Sequence, residues 1–203
     1  MEKDFDALRL TKKLVTFNTV NPPGAERNAA RFLGGLLRES GFEVSYHDFD
    51  TERTSVVAQL PSAHDRPLLC FTGHLDTVPL GSGAWSTDPF GGKVEGDRIY
   101  GRGTSDMKGG VAAMVAAALR LARSDRSGAS LLLLLTAGEE TGLQGAAHLV
   151  SLKDLGPIGA MVVGEPTSNY PLVGHKGALW IEAKVKGVSA HGSMPEKGVN
   201  AIY

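Results

Sequence analysis

The sequence predicts an α/β fold in which a mainly parallel sheet is flanked by helices. Three short apolar runs carry this prediction: PLLCFTG from Pro67, ASLLLLLTAG from Ala129 and GAMVVG from Gly159. Nearly continuous apolar runs of this length are typical of strands that are covered on both faces. Helical patterns separate the runs, and strands that alternate with helices favour a parallel sheet.

The chain opens with two predicted helices and two predicted strands. Apolar residues from Phe5 to Phe17 recur at helical spacing, and a second helical pattern runs from Ala25 to about Glu39, where Ser-Gly ends it. FEVSYHDF, from Phe42, alternates as a strand does, and TSVVAQL, from Thr54, follows as the next strand.

Further elements lie between the apolar runs. After a loop rich in Gly, Ser and Pro over residues 79–92, KVEGDRIYG predicts a small hairpin, and MKGGVAAMVAAALRLAR predicts a long helix. GLQGAAHLVSL, between the second and third runs, predicts another helix.

The pattern changes after Pro171, which indicates a second domain. ALWIEAKVKG alternates apolar and polar residues like an antiparallel strand with one wet face, and GVSAHGSMPEKGVNAIY reads as a loop that enters a helix. We therefore predict an α/β domain over residues 1–176 and the beginning of a small α+β domain over residues 177–203.

Composition and charge limit the classes of function. Of the 203 residues 42% are hydrophobic and 21% charged, and the formal net charge is -1, which gives no electrostatic reason to expect nucleic acid or an anionic membrane as a partner. The single cysteine, Cys70, lies inside an apolar run, so it predicts a buried core residue and a reducing, cytoplasmic setting. No signal peptide or membrane span of about 20 apolar residues is recognisable.

Ionisable residues follow the ends of the apolar runs. The first run is followed by His74 and Asp76, the second by Glu139 and Glu140 and the third by Glu165, while Asp106 precedes the long helix. Ligands of open α/β sheets bind outside the carboxyl ends of the strands, so these side chains should converge. Carboxylates packed together repel one another unless a cation neutralises them. The set therefore predicts a divalent metal site, with zinc favoured by the mixed ligands and cobalt or manganese possible.

Each residue also has a simpler interpretation when it is considered alone. Asp106 could cap the following helix, Asp76 could close a turn, and His74 could be an ordinary loop histidine. Glu139 and Glu140 could be a solvated pair. The metal interpretation is favoured because all of them fall at one edge of the predicted sheet. Phosphate-binding glycine patterns and the G-x-S-x-G nucleophile pattern are absent from the sequence.

Five motifs in order resemble the metal-dependent amidohydrolases of the M20 peptidase family. They are GHLDTVP, GRGTSDMKGG, TAGEETG, VGEPT and SAHGSMPEKGVNAI, and WSTDPF and VGEPT are most similar to the deacetylase and desuccinylase branch. The resemblance implies a zinc-dependent aminopeptidase-like catalytic domain and a small dimerisation or lid domain. It implies a homodimer and a small substrate, either an N-acyl amino acid or a short peptide.

The resemblance also implies a role for each site residue. His74, Asp106 and Glu165 would bind one metal, and Asp106 would bridge to a second metal that also uses Glu140. Asp76 would fix the imidazole of His74, and Glu139 would be the general base that takes a proton from the metal-bound water.

Histidines outside the core motifs divide into two groups. The resemblance implies that His191 stabilises the tetrahedral oxyanion, and the alternative is an exposed loop histidine. The remaining histidines match no ligand position and are predicted to be surface or core residues: His47, His64, His148 and His175.

Family members are longer and bring the second metal's histidine on a later segment, so this chain is expected to be a fragment with little turnover alone. The resemblance thus predicts a deacetylase or desuccinylase type of amidohydrolase. A carboxypeptidase or dipeptidase of the same family, and a non-catalytic metal-binding or interaction protein, remain alternatives.

Overall fold

A computed structural model describes residues 6–60, 67–124, 130–152, 155–177, 179 and 181–203. The chain divides into two compact units, one that extends to Asn169 and one from Tyr170 to Tyr203. In the described part of the chain, no helix is both long and apolar enough to cross a membrane.

The first unit contains the helices and strands that the sequence predicts up to its third apolar run. The helices are α1 (Ala7–Val15), α2 (Arg27–Glu39), α3 (Lys108–Ala122) and α4 (Gln144–Ser151). The strands are β1 (Glu43–Asp50), β2 (Arg53–Leu60), β3 (Leu68–His74), β4 (Lys93–Glu95), β5 (Arg98–Tyr100), β6 (Leu131–Thr136) and β7 (Ile158–Val163).

Five strands form one mixed sheet in the order β1-β2-β6-β3-β7, and β4 and β5 form the predicted hairpin. Strand β2 is antiparallel to both β1 and β6, whereas β3 is parallel to both β6 and β7. Four strands therefore point in one direction and β2 in the other. A tight turn at Thr51 and Glu52 joins β1 to β2, while helices α3 and α4 provide the long crossovers that parallel strands require. The predicted α/β class is confirmed.

The main core lies between the sheet and helices α1, α2 and α3. Leu131, Leu133 and Leu135 of β6 face this layer and are at most 1% exposed. A smaller cluster on the opposite face contains Cys70 and Leu134, and α4 packs against β2 and β1. Strand β6 is thus buried on both faces, as its run of leucines predicts.

Strand β7 differs from the prediction of a strand covered on both faces. Met161, Val162 and Val163 are 50%, 47% and 55% exposed. The reason is that β7 lies at the edge of the sheet and that, among the described elements, no helix packs extensively against its faces. An apolar run therefore predicted the strand correctly but not its burial.

The second unit contains little regular structure among its described residues. Where ALWIEAKVKG predicts a strand, the described positions form none, and an isolated antiparallel bridge joins Val188 to Val199. A short 3-10 helix spans Pro195–Lys197, and no α-helix follows it up to Tyr203. A strand needs a hydrogen-bonded neighbour, which an alternating pattern alone does not supply.

Candidate metal site

The parallel strands place the predicted site residues at one edge of the sheet. His74 is the last residue of β3 and is in register with Thr136, the last residue of β6. Asp76 follows β3, Glu139 and Glu140 follow β6, and Glu165 follows β7. The strand ends therefore meet as the sequence predicts.

His74, Asp106, Glu140 and Glu165 form a close cluster. The Nε2 atom of His74 lies 3.1 Å from Oδ1 of Asp106 and 3.5 Å from Oε1 of Glu165. One potential ligand atom each from His74, Asp106 and Glu140 lie within 4.8 Å of one another. The His74 side chain is 2% exposed, whereas those of Asp106 and Glu165 are 56% and 37% exposed. A buried imidazole thus faces carboxylates that remain open to solvent.

The second ring nitrogen of His74 fixes which atom is available to a ligand. Nδ1 lies 3.0 Å from the backbone oxygen of Asp76. A carbonyl oxygen can only accept a hydrogen bond, so Nδ1 carries the hydrogen in this contact. Nε2 then faces the carboxylates with its lone pair in neutral imidazole, which is favourable when a cation lies between them.

The charges around His74 change its pKa. Burial alone would lower it, but the contact with Asp76 and the negative charges of Asp76, Glu165 and Glu139 outweigh burial and raise the pKa to about 9. The imidazolium is thus stabilised by the same negative field that would attract a metal cation.

Asp76 contacts the loop after β6 in addition to His74. Its carboxylate is fully buried. Nδ1 of His74 lies 3.5 Å from Oδ1 of Asp76 but only 3.0 Å from the backbone oxygen of Asp76, so the backbone oxygen makes the better hydrogen bond. Oδ1 also accepts a hydrogen bond from the amide of Glu139 at 3.0 Å, and Oδ2 accepts one from the amide of Glu140 at 3.1 Å. Burial would raise the pKa of Asp76, but His74, Asn21 and these amides lower it to about 2.

The chemistry of the donor set fits a divalent metal. Burial raises the pKa values of Glu140 and Glu165, and the charge of nearby Asp106 raises both further. Oε1 of Glu140 is buried without a hydrogen-bond partner. A cation at this position would reduce the repulsion between the carboxylates. It would also give the buried Glu140 oxygen a partner and accept the lone pair of the His74 nitrogen.

The structure contradicts the simpler interpretation of Asp106 as a helix cap. Helix α3 begins at Lys108, its N-cap residue is Met107, and that cap makes no side-chain hydrogen bond. Asp106 therefore does not cap the helix, and its carboxylate faces His74 instead.

His191 belongs to the second unit, where it is exposed. Its Nδ1 accepts a hydrogen bond from the amide of Ser193 at 3.3 Å, so its Nε2 carries the hydrogen in the neutral ring. His47, His148 and His175 are not members of the cluster, and His64 lies outside the described residues.

Several supporting residues were not predicted from the sequence. Oε2 of buried Glu26 accepts a hydrogen bond from Nε of Arg53 at 2.8 Å, and Oε1 accepts one from the amide of Gly138 at 3.2 Å. Gly138 has a φ of 73°, and a Cβ there would lie 2.8 Å from Nη2 of Arg53, which explains the glycine of TAGEE. Lys108 is 1% exposed and donates to the backbone oxygen of Phe17 at 2.7 Å.

Asn21 also contacts the site. Its side chain donates to Asp76 at 2.8 Å and to Thr141 at 2.9 Å. The turn-forming sequence Asn-Pro-Pro-Gly marks its position, but such a turn does not specify a distant partner. An open cavity of about 410 Å³, lined by Leu80, Trp85 and Tyr100 among others, includes none of the predicted site residues.

Comparison with known proteins is consistent with the motifs. A family model described as Peptidase family M20/M25/M40 matches residues 70–190. The chain is 36% identical over 213 residues to succinyl-diaminopimelate desuccinylase of Gluconobacter oxydans, covering 98% of this chain and 54% of that protein. It is 37% identical over 170 residues to acetylornithine deacetylase of Klebsiella pneumoniae, covering 84% of this chain and 44% of that protein.

Solved structures show the same fold. The structure of human carnosine dipeptidase 1 superposes with a TM-score of 0.66 and 23% sequence identity, over 77% of this chain and 38% of that one. The chain spans about half the length of the curated relatives it matches. The matched family segment contains the four residues of the cluster, whereas Asn21 and Glu26 precede it and His191 directly follows it.

Proposed function

Because the chain belongs to peptidase family M20/M25/M40, we propose that it provides the metal site of a hydrolase that cleaves the amide bond of an N-acyl amino acid. The main support is the cluster of His74, Asp106, Glu140 and Glu165, in which a buried imidazole nitrogen meets carboxylates with raised pKa values. The desuccinylase and deacetylase relatives support the acyl class of substrate.

In this proposal His74, Asp106 and Glu165 would hold one metal and leave a position for water, and Asp106 and Glu140 would contribute to a second. Zinc is favoured over cobalt or manganese by the mixed ligands. A bound metal of this kind lowers the pKa of a coordinated water and polarises a carbonyl group. The four side chains supply one neutral and three anionic donors, so they also compensate the charge of a divalent ion.

Glu139 is the proposed general base. Its amide is fixed by Asp76, so the glutamate backbone is held beside the cluster while its half-buried side chain remains available. Glu139 would take the proton of the attacking water and return it to the leaving amine. His191, whose Nε2 carries the hydrogen, would donate to the oxyanion.

The remaining assignments are also proposals. Residues 1–176 would form the catalytic domain, and residues 177–203 would begin a dimerisation or lid domain of a homodimer. A cytoplasmic location stays a prediction from the sequence.

Metal stoichiometry tests the site itself. After loading with zinc and dialysis, elemental mass spectrometry is expected to find about one zinc per chain, because His74, Asp106 and Glu165 would give one site the three protein ligands of a catalytic zinc, whereas a second site would have only Asp106 and Glu140. His74→Ala should lose the metal, whereas His47→Ala should retain it, since His47 contacts Ser45 on β1 instead. A second zinc would support the two-metal version, and zinc-free wild-type protein would overturn the proposal.

Rates on matched substrates test the reaction. Little turnover is expected from this chain alone, and we expect any hydrolysis by the zinc-loaded protein to be faster on N-acetyl or N-succinyl amino acids than on dipeptides. Glu139→Gln should lower that rate about 100- to 10,000-fold while zinc remains bound, because the glutamine cannot accept the proton. Preference for dipeptides would favour the peptidase alternative. Bound zinc without hydrolysis of either class, even when the later segment of the longer relatives is supplied, would favour a non-catalytic metal-binding protein.

A further inference from the structure

We propose that Asn21 is a positioning residue that fastens the Glu139–Glu140 loop to the end of strand β3. This role is distinct from metal binding, because Asn21 lies in the segment between α1 and α2 and precedes the matched family segment. The consequence for metal binding rests on the proposed function, whereas the consequence for the loop does not.

The side chain of Asn21 joins two loops that are far apart in the sequence. Asn21 is 2% exposed, and its Nδ2 donates to Oδ2 of Asp76 at 2.8 Å and to Oγ1 of Thr141 at 2.9 Å. An amide nitrogen has two hydrogens. Both are therefore used, one for the loop after β3 and one for the loop after β6.

The backbone around Asn21 is anchored to the same strand end. The amide of Asn21 donates to the backbone oxygen of Thr77 at 2.8 Å, and the amide of Thr77 donates to that of Thr19 at 3.0 Å. The hydroxyl of Thr19 donates to the backbone oxygen of Leu75 at 2.7 Å. Residues 19–21 thus lie along residues 75–77, which leaves the Asn21 side chain little freedom to turn away.

Asp76 passes this constraint to the proposed site. Its carboxylate receives Asn21 on Oδ2 together with the amide of Glu140, and it receives the amide of Glu139 on Oδ1. Without the asparagine, Asp76 would lose a donor in a fully buried position, and Thr141 would lose its link to Asp76 through Asn21. The carboxylate could then rotate and release the two glutamate amides.

Amide hydrogen exchange on metal-free protein tests the loop. In Asn21→Ala we expect the amides of Glu139 and Glu140 to exchange at least about tenfold faster, while those of Leu133 and Val115 in the core change little. Asn18→Ala is the matched control, because Asn18 is exposed and its side chain accepts from Val20 in the same segment. A general loss of stability would instead accelerate the core amides as well.

A second variant approaches the link from its other end. Thr141 is exposed, so Thr141→Ala should fold normally, and it should also accelerate exchange at Glu139 and Glu140. Unchanged exchange at these two amides in both variants would overturn the proposal, as would equal acceleration in Asn18→Ala.

Zinc affinity measured by calorimetry tests the link to function. Residues that orient metal ligands typically change affinity about 10- to 100-fold when they are replaced, and we expect Asn21→Ala to weaken zinc binding by this factor. Wild-type protein that binds no zinc would refute the proposed function but leave the exchange result as the test of positioning. Unchanged affinity with faster exchange would overturn the functional part of the inference.

Discussion

Glu26 and Arg53 form a buried ion pair behind the Glu139–Glu140 loop. Their side chains are 0% and 8% exposed, and the Nε to Oε2 distance is 2.8 Å. Glu26 also accepts from the amide of Gly138, and Nη1 of Arg53 donates to the backbone oxygen of Pro23. The pair therefore connects the start of α2 and strand β2 to the loop of the proposed general base.

Replacing Arg53 with methionine should be costly because Glu26 would lose its countercharge. Burial already raises the pKa of Glu26, while the hydrogen bond and charge of Arg53 lower it and the charge of Asp76 raises it. Arg53→Met should therefore reduce the free energy of unfolding by about 3–5 kcal/mol near neutral pH, as measured by denaturant titration.

The pH dependence of this loss follows from its sign. A carboxyl group whose pKa is raised in the folded state binds a proton more tightly there, so its contribution to stability falls as pH rises through the folded pKa. The deficit of Arg53→Met should thus shrink as pH is lowered toward 5. Arg27→Met is the control: Arg27 pairs with Glu52 at a half-exposed position, and its loss should be below about 1 kcal/mol. Equal losses for both variants would contradict the prediction.

At the scale of secondary-structure elements, burial falls from the centre of the sheet toward β7. One row of paired residues runs from Ala58 through Leu133 and Phe71 to Val162. Ala58 and Leu133 are 0% exposed, Phe71 is partly buried, and Val162 is 47% exposed. The row lies on the face of the sheet that packs against α1, α2 and α3. These helices therefore cover β6 fully and β7 only in part.

Matched leucine replacements should reproduce this gradient. Leu133→Ala in β6 should reduce the free energy of unfolding by about 2–5 kcal/mol, because it leaves a cavity in the main core. Leu69→Ala in β3 should cost clearly less, since Leu69 is 39% exposed and part of its surface is already in contact with water. Thermal or denaturant unfolding of both variants measures the difference, and a larger loss for Leu69→Ala would contradict the described burial.

The strands and the cluster of proposed metal ligands could be predicted from the sequence, whereas contacts made by loops and the burial of edge elements could not. Parallel strand ends meet wherever the strands are in register, so His74, Glu140 and Glu165 could be grouped from their positions alone. The Asn21–Asp76 contact spans 55 positions and depends on the path of a loop, which no local pattern specifies. Likewise, the exposure of β7 depends on which elements cover it, and the described positions of the alternating segment after Pro171 form no strand because a strand also needs a partner.

For the whole molecule, the two units divide the proposed functions unequally. All four proposed metal ligands and Glu139 lie in the unit that extends to Asn169, whereas His191 lies in the unit from Tyr170 onward. Metal binding should therefore be a property of the first unit, and the proposed oxyanion donor a property of the second.

This division predicts how zinc changes the stability of the chain. A ligand that binds the folded state at 100 times its dissociation constant raises the free energy of unfolding by about 2.7 kcal/mol. We expect this increase both for the 203-residue chain and for a variant that ends at Asn169, because each contains the same ligands. Unfolding with and without zinc, followed by circular dichroism, measures it. His74→Ala should show almost no increase in either length. If zinc stabilised only the longer chain, a residue after Asn169 would have to contribute to the metal site, and the assignment of that site to the first unit would be wrong.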